Sequence, residues 1–469
     1  MRSNGNEGRG TTVRCAHWDE GRNCIALTAL LTYTRTMSEQ SLPASRSLRD
    51  TAWVNSTYFA EGYPFILVRF LASAFFTQLG VKERYLGFLN FLGIPWNLKF
   101  LWAPLLDLYG TKRRWLIGIE ITLSVLLLIL AGLAGWAYNA IAIPDTLLQA
   151  ISQHQILQLI TFILIAIAFV AATHDIAIDA YYLAALQSPT AQACYTGDRV
   201  LSYRIAVIYV KSGLVALVAV VGWFAGWMIA ALTMSVLCIA HALWLPQPET
   251  SVAPRAHWRD TLREFAHSFR TYLDQPRVFV MLAFILTYKL GDELIFSMNS
   301  AFLLRELGLT TAQLAWVAGL VGTTATIAGS LLSAWWIARV GLARAIWPLT
   351  LLMNVNIWAY VLLAWFKPNP ATLAGISWIA IADGYELFAA GLGNAVLLTY
   401  LLRTCRPEFK AGHYAIGSAL ISLGGTLFGG FGGILVEQMG YTWFYILSFL
   451  ATIPAMALIR WVPYLGDRN

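Results

Sequence analysis

Residues 105–115 read LLDLYGTKRRW, placing Asp107, Gly110 and Arg113 at i, i+3 and i+6, with Arg114 following. The segment lies between two apolar runs of about twenty residues, the length a helix needs to cross a ~30 Å hydrocarbon core. A short turn with one acid, one glycine and several bases reads as the link between two membrane spans, its bases held at the inner surface. The same spacing returns at Ala338, Gly341 and Arg344, where the acid is lost. A turn repeated in register divides the chain into two similar halves built of membrane spans.

Composition agrees. Of 469 residues, 58% are hydrophobic and only 12% charged, and the mean hydropathy is +0.61. A soluble domain carries about 25% charged residues, so the soluble class is excluded. The net charge of +7 comes from bases that recur in short segments between spans, which argues against a nucleic-acid partner. Five cysteines without a close Cys-x-x-Cys pair give neither a disulfide framework nor a metal site.

Twelve spans are expected, at 53–77, 86–105, 115–138, 156–183, 200–222, 225–245, 278–303, 312–337, 345–366, 371–402, 412–436 and 441–463. With both termini cytoplasmic, the inner loops hold Lys112, Arg113, Arg114, Arg199, Arg255, Arg259, Arg263, Arg270, Arg277, Arg339, Arg344, Arg403, Arg406 and Lys410. The outer loops hold little beyond Lys82, Arg84, Arg305 and Lys367. The expected organisation is a polar, disordered segment over 1–52, a six-helix half over 53–245, a linker over 246–277, a second half over 278–463 and a tail over 464–469. Residues 1–36 read as an extension upstream of Met37. In the linker, Trp258, Leu262, Phe265, Phe269 and Leu273 recur at helical spacing, as in an amphipathic helix resting on the inner leaflet.

Ionisable residues inside spans mark a substrate or proton path. Residues 172–180, ATHDIAIDA, put Asp175 and Asp179 at i and i+4 on one helix face. Depth along the neighbouring span sets Arg204 opposite Asp179 and Lys211 opposite Asp175, an intramembrane ladder whose pairing alternates during transport. Structural ion pairs are the competing reading. Glu61, Asp292 and Glu293 complete the expected charge network, with Lys289 and Asp292 at i and i+3. Arg69, His174, Lys289, Glu386 and His413 are expected to line a central substrate cavity, Asp383 is a further candidate, and Lys99 is expected to snorkel to the surface. Gly425, Gly429 and Gly433 at four-residue spacing read as close helix packing. No GxSxG, HExxH, CxxC or phosphate-cradling GxxxxGK sequence is present, so no catalytic residue, metal or cofactor is expected.

The loop Asp107, Gly110, Arg113, Arg114 resembles the signature of the major facilitator superfamily. Residues 99–110 (KFLWAPLLDLYG), 172–182 (ATHDIAIDAYY), 202–206 (SYRIA), 288–292 (YKLGD) and 386–395 (ELFAAGLGNA) resemble its AmpG-type muropeptide permeases. The resemblance implies an all-helical fold of twelve spans in two halves and a carrier of a bacterial inner membrane. It also implies proton-driven import of a sugar-peptide of the anhydromuropeptide type. Siderophores and acetyl-CoA are the cargo of other members of the branch, and a non-transporting sensor, a passive channel or a membrane-embedded enzyme are the readings from other classes. The expected partners are a small-molecule substrate, protons and lipid, with the chain acting as a monomer. Three residues depart from the family pattern: Glu61 before the Gly-x-Pro sequence, His174 where glutamine is usual, and Gly412–His413 where Thr-Gln is usual.

Overall fold

The computed structural model describes residues 46–103, 106, 110–141, 147–247 and 258–466. Asp107, most of the polar N-terminal segment and residues 248–257 of the linker lie outside the described residues. From Leu48 onward the chain is helical, with no β-strand among the described residues. The helices used below are α1 Leu48–Ile66, α2 Glu83–Phe88, α3 Lys112–Ile141, α4 Leu147–Ala185, α5 Thr196–Ile208, α6 Val215–Trp244, α7 Trp258–Leu273, α8 Val278–Thr287, α9 Leu290–Ala301, α10 Gly322–Val340, α11 Leu342–Val355, α12 Ile357–Phe366, α13 Leu373–Thr404, α14 Lys410–Gly430 and α15 Gly432–Leu450. Among the described residues, eight stretches are long and apolar enough to cross a membrane, so the chain is a multi-pass membrane protein.

The arrangement is apolar outside and polar inside. Val220, Phe279, Leu331, Phe162 and Ile381 are exposed, whereas Glu120, His174, Asp175, Lys211, His241, Asp292, Asp383 and Glu386 are buried. In lipid this is the stable sense, because hydrocarbon offers polar groups no hydrogen bonds.

Among the described residues, six glycines take a positive φ, and they fall at corresponding turns of the two portions of the chain. Gly80 (77°) and Gly308 (74°) end the first pair of helices, Gly110 (68°) and Gly341 (79°) carry the loop motif, and Gly222 (81°) and Gly440 (75°) join the last pair. The repeat seen at Gly110 and Gly341 is therefore one of three, and each needs the left-handed backbone that glycine tolerates. Arg113 of the motif donates to the carbonyls of Ala242 (2.6 Å) and Leu245 (3.3 Å), satisfying the open end of α6.

Two expectations need correction. Segment 86–105 is not one regular helix: it breaks into α2, a 3-10 turn over Leu89–Gly93, the short helix Ile94–Leu98 and a second 3-10 turn over Lys99–Leu101. Pro95 lacks an N–H for the preceding turn. Asn90 and Asn97 instead turn their amides across to Gly429 O (3.4 Å) and Thr426 Oγ1 (3.0 Å) of α14. Helix α7 leaves Phe269 and Leu273 exposed, but Ser268 and Tyr272 are buried against α14, so this face rests on protein.

Candidate functional site

Among the described residues, four helical segments wind as π-helix, and three of them carry a base: Arg69 in Leu67–Leu71, Lys211 in Tyr209–Leu214 and Arg305 in Phe302–Glu306. Pro64 in α1 denies an N–H to the carbonyl one turn back, immediately before the first of them. Such bulges re-aim a side chain without ending the helix, and they concentrate at functional positions.

Arg69 and Lys211 line a small cavity between the N- and C-terminal portions, together with Asn90, Asn299, Ser300 and Glu386. Arg69 Nη1 donates to Asn90 O at 2.8 Å, and its guanidinium lies 5.4 Å from the Phe296 ring centre. Gly93 permits this approach, since a Cβ there would lie 2.8 Å from Arg69 Nη1. Lys211 Nζ sits over the Phe70 ring at 4.6 Å, with Asp383 and Glu386 as the carboxylates acting on it. Asp383 Oδ1 accepts from Tyr360 (2.6 Å) and Asn299 (3.1 Å), and its Oδ2 is buried without a hydrogen bond. Lys289 donates to Asn394 Oδ1 at 2.7 Å and lies 3.7 Å from Asp292. Glu293 packs where Gly425 leaves room, within charge range of Arg69.

A second set of charges lies where α1, α4 and the 83–101 segment meet. Lys99 pairs with Asp175. Arg199 Nη2 meets Asp179 Oδ1 at 2.8 Å, and Tyr58 donates to the same oxygen at 2.8 Å. Glu61 Oε2 is buried with no hydrogen bond, and the charges of Asp179, Lys99 and Arg199 act on it. Three acids thus face two bases, leaving one negative charge to be balanced in a medium that tolerates it poorly.

The expected ladder is corrected here. Asp179 pairs with Arg199, not Arg204, and Asp175 pairs with Lys99, not Lys211. Lys99 reaches inward because the broken 83–101 segment turns it toward α4, so it does not snorkel. Lys211 faces the C-terminal carboxylates, because the π turn rotates it away from α4. Arg204 acts on Lys211 and Tyr203. Of the expected cavity residues, Arg69 and Glu386 line the cavity and Lys289 lies beside Asp292. His413 does not: it bonds Thr271 (3.0 Å) and the Arg406 N–H (3.2 Å) and stacks on Phe409, tying α7 to α14. His174 does not either, being enclosed with Glu120 and His241. Glu120 and His241 were missed, although the rule that singled out Asp175, an ionisable group inside a span, applies equally to Glu120.

The two portions are clasped at one end. Arg305 donates to the carbonyls of Thr77 (2.8 Å) and Val81 (2.6 Å) and meets Glu83 at 3.1 Å. Arg84 Nε donates to Glu437 at 2.7 Å, and Gln78 bonds Thr311. At the other end Asp179, Arg199 and Lys99 remain part-exposed.

The model of a family described as acetyl-coenzyme A transporter 1 matches residues 57–237. Over 411 residues the chain is 28% identical to the anhydromuropeptide permease of Escherichia coli (strain K12), covering 86% of this chain and 77% of that protein. In fold it matches a D-xylose–proton symporter with a TM-score of 0.65 at 12% identity, covering 90% of this chain and 99% of the other. It also matches the nucleoside transporter NupG, with a TM-score of 0.60 at 14% identity and coverage of 88% and 99%.

Proposed function

We propose that this chain, an AmpG-like membrane transporter with the major facilitator fold, imports an anionic, sugar-bearing product of cell-wall recycling together with protons. The reading places it in the inner membrane of a bacterium, as a monomer of twelve spans in two six-helix halves with both termini inside. The clasped end then faces outward and the parted end faces the cytoplasm. The observation that carries the reading is the cavity between the two portions, where Arg69 and Lys211 of one face Glu386 of the other. Cations recognise an anionic cargo, and a carboxylate across from them binds either a cation or a proton. Glu61, beside the unbalanced charge set, is the group we assign to carry the proton, with Asp175 and Asp179 holding the bases that sense it. Asp292 and Glu293 would serve the second half in the same way.

A second cargo has its own support. The match of residues 57–237 to the acetyl-coenzyme A transporter family favours an acyl-CoA-like anion, and siderophores complete the set to be compared. Thermal unfolding of the purified protein with anhydromuropeptide, acetyl-CoA or a ferric siderophore separates them. A ligand at about 100 times its Kd stabilises the folded state by roughly 2.7 kcal/mol. Stabilisation by anhydromuropeptide alone supports the proposal, whereas stabilisation by acetyl-CoA alone replaces it with the second reading.

A further inference from the structure

Glu120 of α3, His174 of α4 and His241 of α6 are all fully buried. His241 Nδ1 lies 2.6 Å and His174 Nε2 lies 3.3 Å from the same oxygen, Glu120 Oε1. On the far side of the ring, His241 Nε2 lies 3.0 Å from Ser56 Oγ of α1. Glu120 Oε2 and His174 Nδ1 are buried with no hydrogen bond. The remaining titratable group beside the cluster is the thiol of Cys238, also on α6, which feels the charge of Glu120. Among the described residues, the two imidazoles are the groups within hydrogen-bonding reach of the Glu120 carboxyl. No group of three or more His, Cys, Asp or Glu is arranged to hold a metal among the described residues.

We propose that Glu120, His174 and His241 form a proton-binding site of their own, separate from the central cavity, which senses protonation through Ser56. An ionised Glu120 beside two neutral imidazoles gives the cluster a net charge of one unit in a low-dielectric interior, which favours the uptake of one further proton. Ser56 has one hydroxyl hydrogen and two acceptors in reach, His241 Nε2 at 3.0 Å and the Trp53 carbonyl at 3.1 Å. When His241 is neutral with its hydrogen on Nδ1, Nε2 accepts from Ser56. When His241 is an imidazolium, both nitrogens donate, and the Ser56 hydrogen must turn to Trp53. The proton is thereby reported to α1, the helix that also carries Tyr58 and Glu61. His174 precedes Asp175, so the same cluster fixes the helix that presents Asp175 to Lys99.

The site stands whatever the cargo is, while its role in coupling rests on the transport reading above. The test is the titration of the imidazole resonances of the full chain, histidine-labelled and reconstituted in lipid, across about pH 5 to 8, where histidine changes charge. A coupled site titrates jointly. His174→Gln, which removes the second imidazole and keeps a hydrogen-bonding side chain, is expected to move the His241 midpoint by about one pH unit or more. Ser56→Ala is expected to move His241 too, by removing its second partner, and serves where His174→Gln does not fold. A His241 signal that is flat over the range, or one indifferent to both substitutions, overturns the proposal. The pH profile of cargo uptake by His174→Gln then tests the coupling role: a profile displaced in the direction of the resonance supports it, and an unmoved profile restricts the site to stability. Loss of all uptake in the unsubstituted protein counts against the cargo reading and leaves the titration result intact.

Discussion

Arg199 Nη2 lies 2.8 Å from Asp179 Oδ1, while its guanidinium covers the rings of Tyr58 and Tyr182 at 4.4 and 4.5 Å. Tyr58 donates to the same carboxylate, so the acid, the base and the aromatic rings form one closed set on α1, α4 and α5. A planar cation is needed for both contacts at once. Arg199→Lys keeps the charge but loses the stacked plane, and Arg199→Gln loses both. Because the guanidinium is part-exposed, the penalty is that of a screened pair: initial uptake rates are expected to fall about 3-fold in Arg199→Lys and about 10-fold in Arg199→Gln. A rate in Arg199→Lys equal to that of the unsubstituted protein would leave the stacking without a role.

In the clasp, Arg305 gives its donors to Thr77, Val81 and Glu83, and in the orientation proposed above this end faces outward. Charge-assisted hydrogen bonds contribute about 1.5–3 kcal/mol each, so Arg305→Ala is expected to raise the population parted at that end by roughly 10-fold or more. Labelling of a Ser300→Cys variant by a membrane-impermeant maleimide from outside measures this. The rate rises when Arg305 is removed, and an unchanged rate would place the barrier elsewhere.

Gly433 is the tightest contact across the clasp. A Cβ there would lie 1.8 Å from the Glu83 carbonyl oxygen, and backbone cannot move aside as a flexible side chain can. Gly433→Ala is therefore expected to lower thermal stability by about 1–3 kcal/mol, the range for overpacking. Gly118, on the exposed face of α3, has nothing within 4 Å of its ideal Cβ. Gly118→Ala is expected to be neutral, or to gain up to about 1 kcal/mol from helix propensity. Comparison of the two melting curves checks both directions.

Lys211 sits on Phe70 and faces Asp383 and Glu386. If it binds an anionic cargo, Lys211→Gln raises KM by about 10-fold, equivalent to one charge-assisted contact, and changes the maximal rate less. Uptake measured over a range of cargo concentrations separates this from a structural role, which lowers the maximal rate through loss of folded protein.

The fold was legible because its signals are strongly periodic or strongly punctuated. Apolar runs, inner bases and the turns at Gly110 and Gly341 gave the membrane class and the repeat, and the structure adds the Gly80–Gly308 and Gly222–Gly440 pairs. Partners of charges were less legible. Depth along an ideal helix set Asp175 against Lys211, but the π turn over Tyr209–Leu214 rotates Lys211 toward the C-terminal portion, and the break before Lys99 delivers a different base. A regular rise per residue does not register a bulge, so pairings across bulged helices escape that arithmetic. Glu120 and His241 lie 121 positions apart, each in a largely apolar helix. Each is visible as a buried ionisable residue, but only the packed bundle shows that they meet. His413 shows the converse: its departure from the resembled pattern was visible, while its place at the α7–α14 junction was not.

Coupled transport is measured by uptake of labelled anhydromuropeptide into vesicles containing the purified chain, with and without an imposed inward proton gradient. Accumulation is expected to depend on the gradient, to be abolished by a protonophore, and to become insensitive to the gradient in Glu61→Gln. Equal uptake with and without the gradient in the unsubstituted protein would contradict coupled transport.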